Sequence, residues 1–153
     1  IKANLTPIFC VGETSAEHEA GLTEVVVAGQ MDAVMATLDD ENFAKAMQLD
    51  MVFSYEPAWA IGSGKTATPE HTQSVHTFIR NRISKRNIEA ANKVRIIYGG
   101  SLNAKNAGEL FSMPDVDGGL VGGASLKATE FVSIGEVANN LQSRQTAIKN
   151  KKS

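Results

Sequence analysis

Four short apolar runs, each closed by a turn carrying Gly, Ser or Glu and followed by a segment of helical period, set the fold of this chain. The runs are Pro7–Gly12, Met51–Tyr55, Val94–Tyr98 and Gly119–Val121. Their two faces are equally apolar, as in strands covered on both sides of a parallel sheet. After the first run, Val27, Met31, Val34, Met35 and Leu38 recur at helical spacing from Thr23 onward, and Glu41–Leu49 reads as a further short helix. After the second, Thr68 is placed to cap a helix with Pro69 at its first position. Val75, Phe78, Ile79 and Ile83 form that helix's apolar stripe, and Lys85 and Arg86 suit its negative pole. A short helix from Asn103 or Ala104 to Phe111 follows the third run, and a last one from Thr129 to Leu141 follows the fourth. Strand and helix alternate four times, which predicts an α/β chain with a parallel sheet and right-handed crossovers. Ligands in such folds bind beyond the carboxyl ends of the strands.

Composition narrows the function. The 153 residues are enough for one domain with a real core, and the net charge of −2 offers no electrostatic footprint for nucleic acid. A single cysteine, Cys10, cannot form an intramolecular disulfide and fits a reducing compartment. No apolar run approaches a membrane span, and no signal peptide is read at the start, so a cytoplasmic location is expected. The domain is expected to cover residues 1–143, and residues 144–153 to be a basic, solvated, disordered tail.

The chemistry gathers at the turns. Gly99-Gly100-Ser101 and Gly122-Gly123-Ala124-Ser125 both lie between a strand and a helix, where glycine lets backbone amides approach an anion. Glu56 stands at the end of the second strand, locked to Pro57. It precedes a long Gly-bearing loop of the kind that serves as a lid. A carboxylate beside a bound phosphate ester suits proton abstraction next to a carbonyl. Gly62-Ser63-Gly64-Lys65-Thr66 is not a nucleotide-binding P-loop, since Trp59 occupies the position of its first glycine. His18, His71 and His76 read as surface or helix-face residues without metal-ligand spacing, and Cys10 as a packed core thiol.

These residues carry a resemblance. Tyr55-Glu56-Pro57-Ala58-Trp59-Ala60-Ile61-Gly62-Ser63-Gly64-Lys65-Thr66-Ala67 is very similar to the lid segment of the triosephosphate isomerase family. Cys10-Val11-Gly12-Glu13-Thr14, Tyr98-Gly99-Gly100-Ser101 and Leu120-Val121-Gly122-Gly123-Ala124-Ser125-Leu126 resemble it in the same order. Ala58 and Ser63 stand where the family usually has Val and Thr, and Gly119 where it often has Ala. The resemblance implies a (β/α)8 barrel, a fold of about 250 residues. This chain supplies four βα units, similar to the fifth to eighth.

It further implies that Glu56 is the base that moves a proton between adjacent carbons of a triose phosphate. The amides of Gly62, Ser101, Gly122 and Gly123 would hold the phosphate. Pro57 to Ala67, with Trp59 and Gly64, would form the lid, contacted by Tyr98, Ser101 and Glu13. Neither cofactor nor metal is implied. The family's electrophilic His, its substrate-binding Asn and Lys, and the loop that docks the partner of its homodimer belong to the other half of the barrel. The isolated chain is therefore expected to be nearly inactive. Two rival readings are a non-catalytic half-barrel that binds phosphate or associates with itself, and another phosphate-binding barrel enzyme. The Glu-Pro-x-Trp lid speaks against the second.

Overall fold

A computed structural model describes the backbone through Asn150 and side chains through Leu141. In chain order the elements are β1 (Ile8–Val11), α1 (Ser15–Glu19), α2 (Thr23–Met35), α3 (Asp40–Gln48), β2 (Val52–Tyr55), α4 (Pro69–Ser84), α5 (Ile88–Lys93), β3 (Arg95–Tyr98), α6 (Ala107–Phe111), β4 (Gly118–Gly119) and α7 (Ala128–Asn150). Three-residue and four-residue 3₁₀ turns lie at Ala58–Ala60 and Gly123–Leu126. The four strands form one parallel sheet in sequential order. Register aligns Val11 with Tyr55, Tyr55 with Tyr98, and Tyr98 with Gly119, so the strand ends share one rim.

Strand period decides what faces the helices. Phe9 and Val11, Phe53 and Tyr55, and Ile96 and Tyr98 point to one side, where they meet Val27 and Met31 of α2 and Val75, Ile79 and Ile83 of α4 in a common core. Each fully buried side chain of this size contributes about 2 kcal/mol. The opposite face is only partly covered. On it Ile8, Cys10 and Arg95 are exposed and Ile97 is half-buried, while Val52 and Ser54 of β2 are buried. The expectation that the first strand is covered on both faces is thereby corrected, and so is the reading of Cys10 as a core thiol. β1 is an edge strand, and among the described residues the helices pack on the other side of the sheet.

Two arginines brace the layers. Arg80 of α4 donates to Asp115 at 2.6 Å, to Asp117 at 2.7 Å and to the carbonyls of Ala91 and Val94. Asp117 also accepts from the Ile96 amide, so one guanidinium ties α4 and the end of α5 to β3 and the approach to β4. Arg86 does not serve the end of its own helix, as its position implied. It reaches the carbonyls of Met35, the last residue of α2, and of Leu38 just beyond it, and lies over the Phe43 ring.

Two helices escaped the sequence pattern. α1 lies in a segment that reads as merely polar, yet Thr14 and Glu17 close a capping box at its start. α5 is a single turn and a half capped by Asn87. α7 runs well past Leu141. The side chains of residues 142–150 and all of 151–153 lie outside the described residues, so of the expected disordered tail, 144–153, only the α7 backbone as far as Asn150 is described. Among the described residues no helix is long and apolar enough to cross a membrane.

Candidate active site

Glu56 follows β2 directly, and its amide donates to the Val11 carbonyl at 2.7 Å, which extends the β1–β2 ladder to the rim. Its side chain bears on the Gly99 turn beyond β3. A methyl group at Gly99 would stand 2.4 Å from the Glu56 Cγ and 2.9 Å from the Ser54 hydroxyl. At Gly12 the added carbon would sit 1.9 Å from the Glu56 carbonyl oxygen. Glycine at these two turns is what lets the neighbouring strands close around the carboxylate. The Glu56 Oε1 atom is buried and has no hydrogen-bond partner among the described residues. A carboxylate oxygen in that condition is costly to leave unmatched and is free to accept a proton from whatever enters beside it. The Cys10 thiol lies against the same group. Its own partial burial, and then the Glu56 carboxylate, push it up to about 11.

A cleft of about 480 Å³ opens beside Glu56, walled by Gly62 and Gly64 of the lid, by Ser101, and by Gly122 and Gly123. The structure thus gathers the base candidate and all four expected phosphate-binding residues around one space. Gly122 and Gly123 open a 3₁₀ turn, whose first amides find no partner within the turn itself. Ser101 behaves differently. Its amide donates to the Ala60 carbonyl at 2.9 Å and its hydroxyl to the same oxygen at 2.7 Å, so in this conformation it holds the lid. Lys127 and Glu130 also line the cleft. Sequence reading passes over Lys127, the cation among the residues lining the cleft, because nothing in its spacing marks it.

The lid is fastened at both ends. At the far end the Ala67 amide donates to the Tyr98 hydroxyl at 3.1 Å, and Thr66 donates to the Ser101 carbonyl. At the near end the Trp59 indole N–H donates to Glu13 at 2.9 Å. Glu13 is wholly buried, and the Tyr55 hydroxyl donates to it at 3.1 and 3.2 Å to its two oxygens. Tyr55 is the partner that sequence reading misses. Its only signal is its place as the last helix-facing residue of its strand. Burial, and then the Glu13 charge, hold its phenol far above the ordinary range.

The histidines are not the bystanders expected. His18 stacks on the Trp59 ring at 4.5 Å between centroids. His71 is half-buried, 3.0 Å from the Tyr55 hydroxyl, and burial followed by the His18 charge lowers its pKa. Glu13, His18 and His71 bring their ligand atoms within 4.8 Å of one another, a grouping that their spacing in the sequence does not reveal. His76 is fully buried, its Nδ1–H donating to the Asp115 carbonyl at 3.0 Å, and burial lowers its pKa to about 4.

Parallel βα units with a carboxylate and an anion-sized cleft at the C-terminal rim define half of a (β/α)8 barrel. The family model for triosephosphate isomerase matches residues 1–138, and the chain belongs to that family. It is similar to the triosephosphate isomerase of Herminiimonas arsenicoxydans, 52% identical over 134 residues that cover 88% of this chain and 52% of the relative. Against the enzyme of Nitrosomonas eutropha the identity is 54% over 131 residues, 86% of this chain and 50% of the relative. Against that of Haemophilus ducreyi it is 54% over 136 residues, 89% and 51% respectively. The chain spans about half the length of the curated relatives it matches.

Proposed function

We propose that this chain carries the base-and-lid half of a triosephosphate isomerase site, one that interconverts dihydroxyacetone phosphate and D-glyceraldehyde 3-phosphate. The observation that carries the reading is the buried, unpartnered Glu56 oxygen beside a cleft rimmed by Gly62, Ser101, Gly122 and Gly123. Substrate phosphate would sit on the amides of Gly62, Gly122 and Gly123. Ser101 joins them once its amide leaves Ala60. Glu56 then takes a proton from the carbon next to the carbonyl and returns it to the former carbonyl carbon, through an enediolate, while the hydroxyl proton passes from one oxygen to the other. The lid of Pro57 to Ala67, with Trp59 and Gly64, excludes water. That strengthens the electrostatics and protects the intermediate from losing phosphate. Triosephosphate isomerase is itself the standard example of a glutamate base working beneath a closing loop, so this part of the mechanism is a property of the family carried to these residues.

The chemistry needs no cofactor. What the described residues do not offer is a positioned donor for the enediolate oxygens. Each such donor is worth about 10²–10³ in rate. The 153-residue chain alone is therefore expected to turn over at least ~10³-fold more slowly than a whole enzyme. The whole enzyme is read as a cytoplasmic homodimer of glycolysis and gluconeogenesis.

The test combines an isomerase assay with amide NMR during titration with dihydroxyacetone phosphate. The reading expects shifts at Gly62, Gly122 and Gly123 with scarcely any turnover. Turnover near that of a whole enzyme would refute the half-site account. Shifts confined to other amides would refute the phosphate assignment.

A further inference from the structure

At the root of the lid, away from the glycine cleft, three potential metal ligands converge from three separate elements. Glu13 lies in the turn after β1, His18 on α1 and His71 on the first turn of α4. The Glu13 Oε1 atom is 3.3 Å from His18 Nδ1 and 4.0 Å from His71 Nε2, and all three ligand atoms fall within 4.8 Å of one another. A tetrahedral zinc site with bonds of about 2.0–2.1 Å places its ligand atoms about 3.3 Å apart. The Glu13–His18 edge already has that length. The other edges need only small side-chain rotations, and both imidazoles are partly exposed. Two imidazoles and one carboxylate, with a fourth position open, form a donor set suited to zinc and its borderline neighbours.

Electrostatics point the same way. Glu13 is fully buried, and among the described residues no Lys or Arg pairs with it. Its partners are the Tyr55 hydroxyl, the Trp59 indole and the two imidazoles. Burying a carboxylate is costly unless an opposite charge or a metal compensates it. His18 Nδ1 is buried 3.3 Å from Glu13 Oε1 and, among the described residues, makes no hydrogen bond, so a polar atom aimed into the cluster is left unmatched.

We propose that Glu13, His18 and His71 bind a divalent zinc-class cation, and that the bound metal and the lid Trp59 compete for the same Glu13 oxygen. The Trp59 N–H donates to Oε1, the atom shared by both imidazole contacts. Metal coordination withdraws that oxygen from the indole and leaves the Trp59 ring held by its stacking on His18 and its packing against the core, without its side-chain hydrogen bond. The site is thus a metal-sensitive latch on the lid. It stands independently of what the glycine cleft binds.

Trp59 is the chain's single tryptophan, so its emission reports the latch without a label. The tag-free, metal-free 153-residue chain is titrated with Zn²⁺ by calorimetry, and with Ni²⁺ and Co²⁺ while Trp59 fluorescence and visible absorption are recorded. The expected result is saturable one-to-one Zn²⁺ binding in the micromolar range. Ni²⁺ should quench Trp59, and Co²⁺ should give a visible band of tetrahedral intensity. His71→Gln and His18→Asn should each weaken Zn²⁺ binding at least tenfold, with circular dichroism unchanged. Cys10→Ser should leave it as it was. No saturation at millimolar metal, an affinity that follows Cys10, or one indifferent to both histidine variants would each overturn the proposal.

Discussion

Replacing Tyr55 by Phe tests how the buried Glu13 is held. The ring stays in the core, and only the hydroxyl is lost. Among the described residues that hydroxyl is the one donor to Glu13 Oε2, at 3.2 Å, and it also reaches Oε1 at 3.1 Å. Trp59 still serves Oε1, so the variant leaves one oxygen of a wholly buried carboxylate without a partner. A hydrogen bond to a charged group contributes about 1.5–3 kcal/mol, and an orphaned buried acceptor costs a similar amount. The His71 contact is lost as well, but that ring reaches solvent and can recruit water. The expected loss is about 2–3 kcal/mol. With a urea m-value of about 2 kcal/mol/M, the midpoint falls by roughly 1 M. Equilibrium urea unfolding with Trp59 emission as the probe reads it directly. In a Glu13→Gln background the same change should cost about 1 kcal/mol less, because a neutral amide needs the donor less. A loss under about 0.5 kcal/mol, or one that is identical in both backgrounds, would refute the claim that the hydroxyl is tied to the buried charge.

Other perturbations address other parts. Arg80→Met removes the brace between α4 and the β3–β4 region. Its groups are only partly buried, so a loss of about 2–3 kcal/mol is expected in thermal or urea unfolding. His76 stays neutral in the fold, with Tyr55, Arg80, Asp115 and Asp117 around it, and its folded pKa near 4 lies below the unfolded value of about 6.5. The unfolded chain therefore takes up the proton first as pH falls. Stability from this group is complete above pH ~6.5 and is lost progressively down to about pH 4, by up to roughly 3 kcal/mol. His76→Gln should flatten that part of a stability-against-pH curve. Cys10, pushed up to about 11, should alkylate at a rate still rising at pH ~10, and Glu56→Gln should shift that profile downward by removing the adjacent charge. Gly99→Ala should destabilise by about 1–3 kcal/mol through overpacking against Glu56 and Ser54, measured by unfolding.

Much of the fold is legible because each strand carries its own punctuation. Apolar runs of strand length, and caps such as Thr68 with Pro69, are local signals, and the structure places their elements within a residue or two of the expected bounds. The rim residues are legible for the same reason, since Glu56, Ser101, Gly122 and Gly123 all closely follow strands and parallel register aligns strand ends. What local pattern does not contain is the partner across the sheet. Nothing near Tyr55 in sequence says that its hydroxyl meets Glu13, 42 residues earlier. Nothing near His18 says that it stacks on Trp59 or shares a carboxylate with His71. Exposure is misjudged at Cys10 by the same limit. An apolar strand looks alike whether or not a second layer covers its far face.

The two carboxylates at this rim show how the same residue type takes different work from its surroundings. Glu13 is surrounded by Tyr55, Trp59 and the imidazoles, so its charge is committed to holding the root of the lid. Glu56, one strand over, faces a glycine turn and a cleft, and one of its oxygens has no hydrogen-bond partner among the described residues. A fully bonded carboxylate makes a good anchor, while an unbonded oxygen is open to a proton from a substrate. Trp59 and Glu56 lie on the same short segment, three residues apart in sequence. Any event that frees Trp59 from Glu13, whether lid movement or metal capture, therefore acts on the backbone that carries the base. Anchor and base are joined through Pro57, whose fixed backbone angle leaves little slack between them. The lid's latch and the proton-transfer group should consequently respond together, and a variant at Glu13 should alter the Cys10 thiol profile that reports on Glu56.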